Sequence, residues 1–526
     1  MSDIVFSVVT PVYNPPVDVL QEMIDSVRSQ DFESWELILV DDCSPDPEVR
    51  EVLRRAQSED PRVRVIERTT NGRIVAASND GVDAARGEFI VLVDHDDVIV
   101  PTALSTVAAA LATDPEIDYV YSDEDKLGAG GEIYDLFRKP DWSPERLRAQ
   151  MYTSHLSVLR TTLVREVGGF HTGFDGSQDH DLVLRVTERA RRVVHIPEVL
   201  YHWRVVPGSA AGDADAKPYA WLAGQRAVQA HMDRLGYRAE VNLGTVTGTY
   251  SIRRFLDPEV LVSVVIPTRG TSGHVWGQRR CFVVEAVRSV LAHTRHQMLE
   301  IVVVFDTGTP AEVLDELRVV AGDRLVLEEY TAPFNFSEKC NVGFLASHGD
   351  VVIMLNDDVE VTSDDFIEQL AAPLEEPDVG MTGARLLFSD STLQHAGHAY
   401  HGNDMTHPFH GVPNGDVGYL GVLAVNRETS GLTAACVALR RDTYERVGGF
   451  CELLPANFND VDFSLKIRAA GLRNVWLAHV VLFHFESRSR IPSVSQWEID
   501  LIMKRWDIRG GDRYIPEAAE MWTQRE

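Results

Sequence analysis

The chain of 526 residues carries 80 acidic and 50 basic residues, which gives a formal net charge of −30 at pH 7. This charge argues against a nucleic-acid partner and against broad adhesion to anionic lipid, because both depend on clustered Lys and Arg. The hydrophobic fraction of 44% is typical of a globular protein. The length predicts about three or four domains of ordinary size, or fewer large α/β domains.

The five cysteines are scattered, odd in number and without a C-x-x-C pair. They predict neither a disulfide framework nor a zinc ribbon, and they fit a reducing compartment. The N-terminal stretch lacks the pattern of a signal peptide, and no run reaches the ~18–20 apolar residues of a membrane helix. We therefore expect a soluble cytoplasmic protein, with association at the inner face of the plasma membrane through partners left open.

Strands and helices alternate along the first part of the chain. A β-branched run over Phe6–Asn14 (FSVVTPVYN) predicts a buried parallel strand, and the apolar face of Val19–Arg28 predicts a helix. Two further strands, at 35–44 (WELILVDDCS) and 87–97 (GEFIVLVDHDD), end in acidic residues. This alternation predicts an α/β fold with a mostly parallel sheet and helices on both faces.

The same landmarks recur in the same order in the second half, which indicates two copies of one fold. The seam is a Gly- and Thr-rich strip, so we predict domains at 1–245 and 261–526 joined by a linker at 246–260. The recurring segments are VSVVIPTRG (262–270), LEIVVVFDTGT (299–309), GDVVIMLNDDV (349–359), YERVGGF (444–450), NFNDVDFSLKI (457–467) and the closing histidine of LFHFE (482–486).

The strand-end acids predict one metal and diphosphate site per domain, because ligands of open parallel sheets bind at the carboxyl ends of strands. Asp94 and Asp96 lie two positions apart and project to the same side of an extended segment. Their oxygens suit Mn²⁺ or Mg²⁺. The counterpart in the second half begins with Asn356, whose amide is a weaker ligand, so Asp358 is expected to dominate there.

Both halves resemble glycosyltransferase family 2, over nearly the whole chain. The resemblance implies two tandem GT-A domains, which are Rossmann-like with a mostly parallel sheet, each using a nucleotide-sugar donor and a glycan or lipid-linked glycan acceptor. YSDEDK (121–126), KPDWSP (139–144) and FHFESRSR (483–490) resemble members that build bacterial cell-surface polysaccharides or O-antigens. The family pattern is carried by the SVVTPVYN and SVVIPT openings, Asp41, Asp306, Asp94–Asp96, Asn356–Asp358, the pairs Asp179/Asp181 and Asp460/Asp462, His202 and His484.

The resemblance implies an inverting reaction in which one general base deprotonates the acceptor hydroxyl. Asp179 and Asp460 are the candidates, because each opens an acidic pair before an amphipathic helix, and a free Asp is ionised at pH 7. Asp181 and Asp462 are expected to cap the helix or to hold a sugar hydroxyl.

The remaining site residues are also assigned by the resemblance. His202 and His484 correspond to a third metal ligand beside Asp94, Asp96, Asn356 and Asp358. Those expected at the nucleotide sugar are Asp41 and Asp306 at the base, Arg73, Asp94, Asn356, and the arginines Arg204, Arg488 and Arg490 at the phosphates.

Each assignment has an ordinary structural alternative. Strand-end acids are often solvated loop residues, and the bases of the two acidic pairs could be helix N-caps. The two closing histidines could be buried and hydrogen-bonded, and arginines are common on surfaces.

A histidine cluster distinguishes the second half: His395, His398, His401, His407 and His410. A zinc site is one interpretation. We favour a loop over the acceptor site, because no cysteine or carboxylate joins the histidines at ligand spacing. No G-x-G-x-x-G follows the first strand of either half, which argues against a dehydrogenase.

Two other functions are weighed against a dual-domain glycosyltransferase. A sugar nucleotidyltransferase uses a similar acidic site, but the Gly- and Lys-rich loop that it needs after the first strand is missing. Alternatively, one domain is catalytic and the other is an accessory glycan-binding domain, with Asn356 making the second domain the weaker enzyme. The sequence does not specify the donor sugar, acceptor or linkage.

Overall fold

The structure is a computed structural model that describes residues 4–205, 218–402, 404–485, 494–508 and 510–516. The chain divides into two compact units. The first comprises residues up to 143, 147–237 and 241–251, and the second comprises 144–146, 238–240 and the residues from 252 onward, so the main change of unit falls at residues 251–252. This position falls inside the stretch predicted as a linker, although the domain limits themselves stay a prediction.

The first unit is an α/β domain. Its strands are β1 Phe6–Val12, β2 Trp35–Asp41, β3 Val63–Glu67, β4 Phe89–Leu92, β5 Val98–Ile99, β6 Ile117–Leu127, β7 Ile133–Phe137, β8 Ser157–Arg160 and β9 Arg192–Arg204. Its helices are α1 Val17–Arg28, α2 Pro47–Glu59, α3 Arg73–Ala84, α4 Ala103–Thr113, α5 Pro144–Ala149, α6 Thr161–Glu166, α7 Gln178–Thr187 and α8 Pro218–Leu235. A ribbon of β10 (Ala239–Leu243) and β11 (Tyr250–Arg254) follows.

The sheet of this unit runs in the order β3-β2-β1-β4-β8-β6-β9-β5, with β7 beside β6. Strands β1 to β4 pair in parallel, whereas β8 lies antiparallel between β4 and β6. Six of the seven β1 residues are buried, as expected for a central strand covered on both faces. The carboxyl ends of β1, β2 and β4 therefore meet at one edge.

The second unit repeats this plan. Its strands are β12 Val262–Thr268, β13 Ser272–Val275, β14 Gln278–Cys281, β15 Leu299–Asp306, β16 Leu325–Tyr330, β17 Val351–Leu355, β18 Val359–Val361, β19 Val379–Leu387, β20 Leu393–His395, β21 Ala399–His401, β22 Asp404–Thr406, β23 Arg427–Thr429, β24 Cys436–Arg440 and β25 Arg473–His484. Its helices are α9 Phe282–Ala292, α10 Ala311–Ala321, α11 Phe336–Ala346, α12 Phe366–Ala371, α13 Arg441–Val447, α14 Asn459–Ala469 and α15 Gln496–Arg505.

Its main sheet has the order β16-β15-β12-β17-β24-β19-β25-β18, which matches the first sheet position by position. The predicted fold class is thus confirmed: two tandem α/β domains, each with its own mostly parallel sheet and apolar core. Among the described residues, no helix combines the length and apolar character needed to cross a bilayer.

Candidate active sites

In domain one, three potential ligand groups gather where β4 ends. The carboxylates of Asp94 and Asp97 and the imidazole of His155 place one ligand atom each within 4.8 Å of the others. Burial, followed by the charge of Asp94, raises the pKa of Asp97 well above its usual value. Burial acts to lower the pKa of His155, but Glu124 outweighs it and raises that pKa to about 9. Such a cluster of acids with an imidazole can hold a divalent cation.

Asp96, a predicted metal ligand, is not part of this three-residue group. Its main-chain carbonyl accepts a hydrogen bond from Arg204 Nε at 2.7 Å. The Arg204 guanidinium also bonds Glu22 Oε2 at 2.5 Å, and the side chain is buried. These contacts give Arg204 a structural role that shapes the acidic loop, and they lend no support to the predicted phosphate contact.

His202 lies on β9 opposite Val98, next to the acidic loop. Its Nδ1 is 2.5 Å from Asp125 Oδ1, so the carboxylate fixes the ring and leaves Nε2 as the atom available for a ligand. Carboxylate–histidine pairs of this kind commonly orient metal-binding imidazoles. The contact fits the predicted role of His202, which stays a prediction.

The predicted base-binding residue Asp41 ends β2 and is 1% exposed. Its Oδ1 accepts the backbone N–H of Ser44 at 3.0 Å, and Arg50 Nε lies 3.7 Å from Oδ2. Arg73, by contrast, is exposed and begins α3 with a left-handed φ of 65°. The same sheet edge therefore carries Asp41 and Asp94, with Arg73 at the start of the following helix.

The predicted base Asp179 lies in the first turn of α7. The N-cap of this helix is Ser177, so the alternative that Asp179 is an N-cap is wrong. Burial raises the pKa of Asp179, while His155 acts to lower it. His155 thus lies within electrostatic range of Asp179 and also of Asp94 and Asp97, and it links the candidate base to the acidic loop.

Asp181 is a structural residue, and the expectation that it caps the helix is wrong. It is fully buried, and its Oδ2 accepts bonds from Arg185 Nε at 3.0 Å and Nη2 at 2.6 Å. Arg185 in turn donates to the carbonyls of Val167 and Gly169. The pair therefore ties α7 to the VGGF turn behind the site.

Asp181→Asn is expected to destabilise the protein by ~3–5 kcal/mol, because it leaves the buried guanidinium of Arg185 without its counter-charge. Urea unfolding followed by circular dichroism measures the loss. Asp83→Asn, at an exposed position on α3, is the matched control and should leave the curve unchanged. Equal curves for both variants would contradict the structural role.

In domain two, four of the predicted residues line one cavity of about 710 Å³. It brings together Asn356, Asp358 and His484 from one side with the candidate base Asp460 from another. Asp460 lies in the first turn of α14, whose N-cap is Phe458, so the N-cap alternative is wrong here too. Asp462 repeats the role of Asp181: it is fully buried and lies 3.3 Å from Lys466 Nζ.

His484 Nε2 lies between the side chains of Asp358 and Asn356. It is 3.2 Å from Asp358 Oδ1 and 3.1 Å from Asn356 Nδ2, while Nδ1 is bonded to Gln394 Oε1 at 2.7 Å. Burial acts to raise the pKa of Asp358, but His484 outweighs it, so this pKa lies below its usual value. Asn356 Oδ1 is buried and has no hydrogen-bond partner among the described residues. A cation would supply the partner that this oxygen lacks.

The two acidic loops differ in length. Strand register aligns Leu92 with Met354, since they pair with equivalent residues of β1 and β12, and therefore aligns Asp94 with Asn356. The next strands, β5 and β18, align through their pairing with His202 and His484, so Val98 corresponds to Val359. Domain one thus has one residue more in this loop, and Asp97 rather than Asp96 precedes the strand as Asp358 does.

The predicted equivalence of Asp41 and Asp306 is also shifted by one residue. Register along β2 and β15 aligns Asp41 with Phe305, so Asp306 lies one position further on. Its side chain is accordingly 28% exposed, and it bonds Lys339 Nζ at 2.8 Å. Arg488 and Arg490, predicted at the phosphates, lie outside the described residues.

The histidine segment of domain two does reach the cavity, through His398, His407 and His410. His395, His398 and His407 gather within 4.8 Å, and Asp460 Oδ2 lies 3.9 Å from His398 Nε2, so a carboxylate that sequence spacing did not reveal stands nearby. However, His395 Nε2 accepts backbone N–H bonds from Gly397 and Thr433, which assigns the proton to Nδ1. That proton points to His407 Nδ1 at 2.9 Å, a hydrogen-bonded arrangement rather than a metal triad.

Sequence reasoning missed His155, Lys339 and the role of Asp97. Asp97 stood inside the quoted GEFIVLVDHDD motif, and counting the loop against its counterpart would have identified it. His155, just before β8, and Lys339, on α11, lie in no recognisable motif. Only the tertiary packing places His155 beside Asp94 and Asp97, and Lys339 in the cavity of domain two.

The family model for glycosyl transferase family 2 matches residues 7–168 and 263–448. These two matches cover most of the chain, one in each unit, and the chain belongs to this family. The resemblance stated from the sequence is thereby confirmed.

Two curated relatives match nearly the whole chain. An uncharacterised protein, y4gI of Sinorhizobium fredii, is 40% identical over 95% of this chain and 56% of its own length. The O-antigen biosynthesis protein RfbC of Myxococcus xanthus is 35% identical over 97% of this chain and 40% of its own length. The chain thus spans about half the length of these relatives. Among solved structures, S. aureus TarS 1–349 in complex with UDP-GlcNAc is 22% identical, with 43% of this chain and 66% of that chain covered at a TM-score of 0.37.

Proposed function

We propose that both domains are inverting glycosyltransferases, which transfer sugars from nucleotide-sugar donors to a growing cell-surface glycan. The observation that carries the proposal is the domain-two cavity, where a helix-borne carboxylate faces an acidic loop and a histidine at the carboxyl edge of the sheet. Domain one repeats this set of elements on a sheet of the same strand order. The relationship to an O-antigen biosynthesis protein supports a polysaccharide acceptor.

The candidate bases act on the acceptor. As the hydroxyl oxygen forms its bond to the anomeric carbon, its proton passes to Asp179 or Asp460, and the bond from that carbon to the diphosphate oxygen breaks. Both carboxylates lie in the first turn of a helix, and an ionised carboxylate in this position can accept the hydroxyl proton as the new bond forms.

The residues present fit a divalent cation, Mn²⁺ or Mg²⁺. In domain two the donor set is Asp358 Oδ1, His484 Nε2 and the unpartnered Oδ1 of Asn356. In domain one it is Asp94, Asp97 and His155, with His202 adjacent. When bound, such an ion stabilises the negative charge of a departing nucleoside diphosphate.

The acceptor is proposed to be a glycan or lipid-linked glycan, and the site of action the cytoplasm, at the inner face of the plasma membrane. All five cysteines are free thiols, two of them buried, which fits a reducing compartment. The proposal includes no nucleic-acid partner, in keeping with the net charge of −30.

The direct test is release of nucleoside diphosphate by the purified full-length chain with Mn²⁺, across a panel of nucleotide sugars and glycan primers. Release that depends on both donor and primer is expected. If no combination gives release above that of a chain carrying both Asp179→Asn and Asp460→Asn, the proposed function is wrong.

Transfer by domain one is expected to fail on acidification at a pH above the ordinary Asp value of ~3.9. Burial raises the pKa of Asp179, so the protonated form, which cannot accept the hydroxyl proton, persists to higher pH. Activity is therefore full above the raised pKa and lost as pH falls through it. The measurement is kcat against pH at saturating donor and Mn²⁺, in an Asp460→Asn chain where only domain one works. An acid limb at the ordinary value would contradict the assignment.

A further inference from the structure

The donor cavity of domain two contains a charged corner. Lys339 on α11 is 1% exposed and lines the cavity; its Nζ donates to the Thr268 carbonyl at 2.6 Å and to Asp306 Oδ1 at 2.8 Å. The hydroxyl of Thr268 donates to Asp357 Oδ2 at 2.6 Å. The ammonium is thus fixed at the end of the central strand, between the predicted base-binding residue and the acidic loop.

The counterpart of Lys339 in domain one can be identified from two packing contacts that occur in both domains. Gly81 and Gly343 each leave room for a valine of the central strand. A Cβ added to Gly81 would lie 2.4 Å from Val9 Cγ1, and one added to Gly343 would lie 2.3 Å from Val265 Cγ1. Asn79 and Asn341 each bond the main chain of the phenylalanine that ends the VGGF turn. Counting two residues back from each asparagine aligns Lys339 with Ala77.

The two corresponding positions of domain one are apolar. Strand register aligns Thr268 with Val12, and both Val12 and Ala77 are fully buried. Relative to domain one, the second site has an amide in place of Asp94 and an added ammonium. These two positions are therefore two charge units more positive in domain two, whereas in domain one the counterpart of Asp306 is Asp42, which is paired with Arg68.

This difference in charge changes what each site can bind without a divalent ion. A nucleoside diphosphate is repelled by uncompensated carboxylates and attracted by fixed ammonium groups, which stabilise phosphate charge as metal ions do. An ammonium has three N–H groups, and the contacts of Lys339 to Thr268 and Asp306 use two of them. One donor therefore remains for a ligand in the cavity.

We propose that Lys339 is a donor-site cation of domain two, which binds the nucleoside diphosphate directly. Domain two then retains affinity for the nucleotide when divalent ions are removed, whereas domain one loses it. The inference rests on the proposed function, because it takes the cavity as the donor site.

The test is calorimetric titration of the full-length chain with UDP, GDP, CDP and dTDP, in Mn²⁺ and in EDTA. For the nucleotide that binds, we expect two sites per chain in Mn²⁺ and one in EDTA. Lys339→Met is expected to weaken the site seen in EDTA by about 10- to 100-fold, as for loss of a hydrogen bond to a charged group. Lys504→Met, at an exposed position on α15, should change nothing.

A folding defect is separated from a binding defect by a second pair of variants. Comparing Asp306→Asn alone with Asp306→Asn plus Lys339→Met tests the lysine in a chain where no carboxylate at position 306 loses its lysine partner. Binding in EDTA that survives Lys339→Met and the double variant overturns the inference. Two sites in Mn²⁺ and none in EDTA also overturn it, and leave the proposed function standing. Binding of no nucleotide under either condition counts against the proposed function itself.

Discussion

Asp460→Asn is expected to lower the rate of domain-two transfer by about 10²- to 10⁴-fold, the usual contribution of a general base. Asp179→Asn is expected to do the same for domain one. Each change keeps the shape of the side chain and removes the charge that accepts the hydroxyl proton. Mass spectrometry of the extended primer measures each step, because loss of one transfer leaves a product shorter by one unit.

Controls for these variants come from acids in the first turn of other helices. Asp442→Asn on α13 is matched to Asp460, and Glu48→Gln on α2 is matched to Asp179, and both controls lie on the surface. They should leave both transfer steps intact. If Asp460→Asn leaves every product unchanged, domain two is an accessory glycan-binding domain, and the dual-domain proposal fails.

Asp358→Ala and Asp94→Ala, made separately, are each expected to abolish one transfer step, with a loss of about 10²- to 10³-fold, comparable to removal of an electrostatic stabiliser of the transition state. The reason is that each removes a candidate ligand of the cation that stabilises the leaving diphosphate. Titration with Mn²⁺ in the presence of donor should show one site fewer in each variant. Asp364→Ala, on an 88% exposed side chain, is the control for Asp358.

In domain one, a further pair of variants distinguishes Asp96, the metal ligand predicted from the sequence, from Asp97, which the structure places beside Asp94 and His155. If the cation is held as the structure arranges its groups, Asp97→Ala weakens Mn²⁺ binding more than Asp96→Ala does. Asp97 also accepts hydrogen bonds from Tyr201 and from the main chain of Arg204, so the thermal unfolding of the Asp97→Ala variant must be measured as well. A larger effect of Asp96→Ala would support the pattern read from the sequence.

The repeated fold was accessible from sequence because its signals are local. Central strands such as Phe6–Val12 and Val262–Thr268 are short, β-branched and buried on both faces. The neighbouring strands end directly in acidic residues, such as Asp41 and Asp306. Two copies of the same ordered signals then reinforced each other. The strand order could not be read in this way, since β8 and β24 are inserted between strands that precede them in sequence.

Individual site residues were harder to predict from the sequence, because an alignment error of one residue changes the assignment. Asp41 and Asp306 occupy the same place in the sequence pattern but different levels of the sheet. Arg204 has the residue type that a phosphate contact requires, yet its guanidinium is used by Glu22 and a carbonyl. The spacing of residues in the sequence does not reveal such tertiary partners.

The sequence by itself determined the family, the duplication and the acidic strand ends, because each depends on residues that are neighbours along the chain. Only the tertiary structure decided which charges meet: His155 with Asp94 and Asp97, and Lys339 with Asp306. The physical reason is that electrostatic interactions depend on distance in space and on burial. Both are fixed by how separate strands and helices pack, and not by their spacing in sequence.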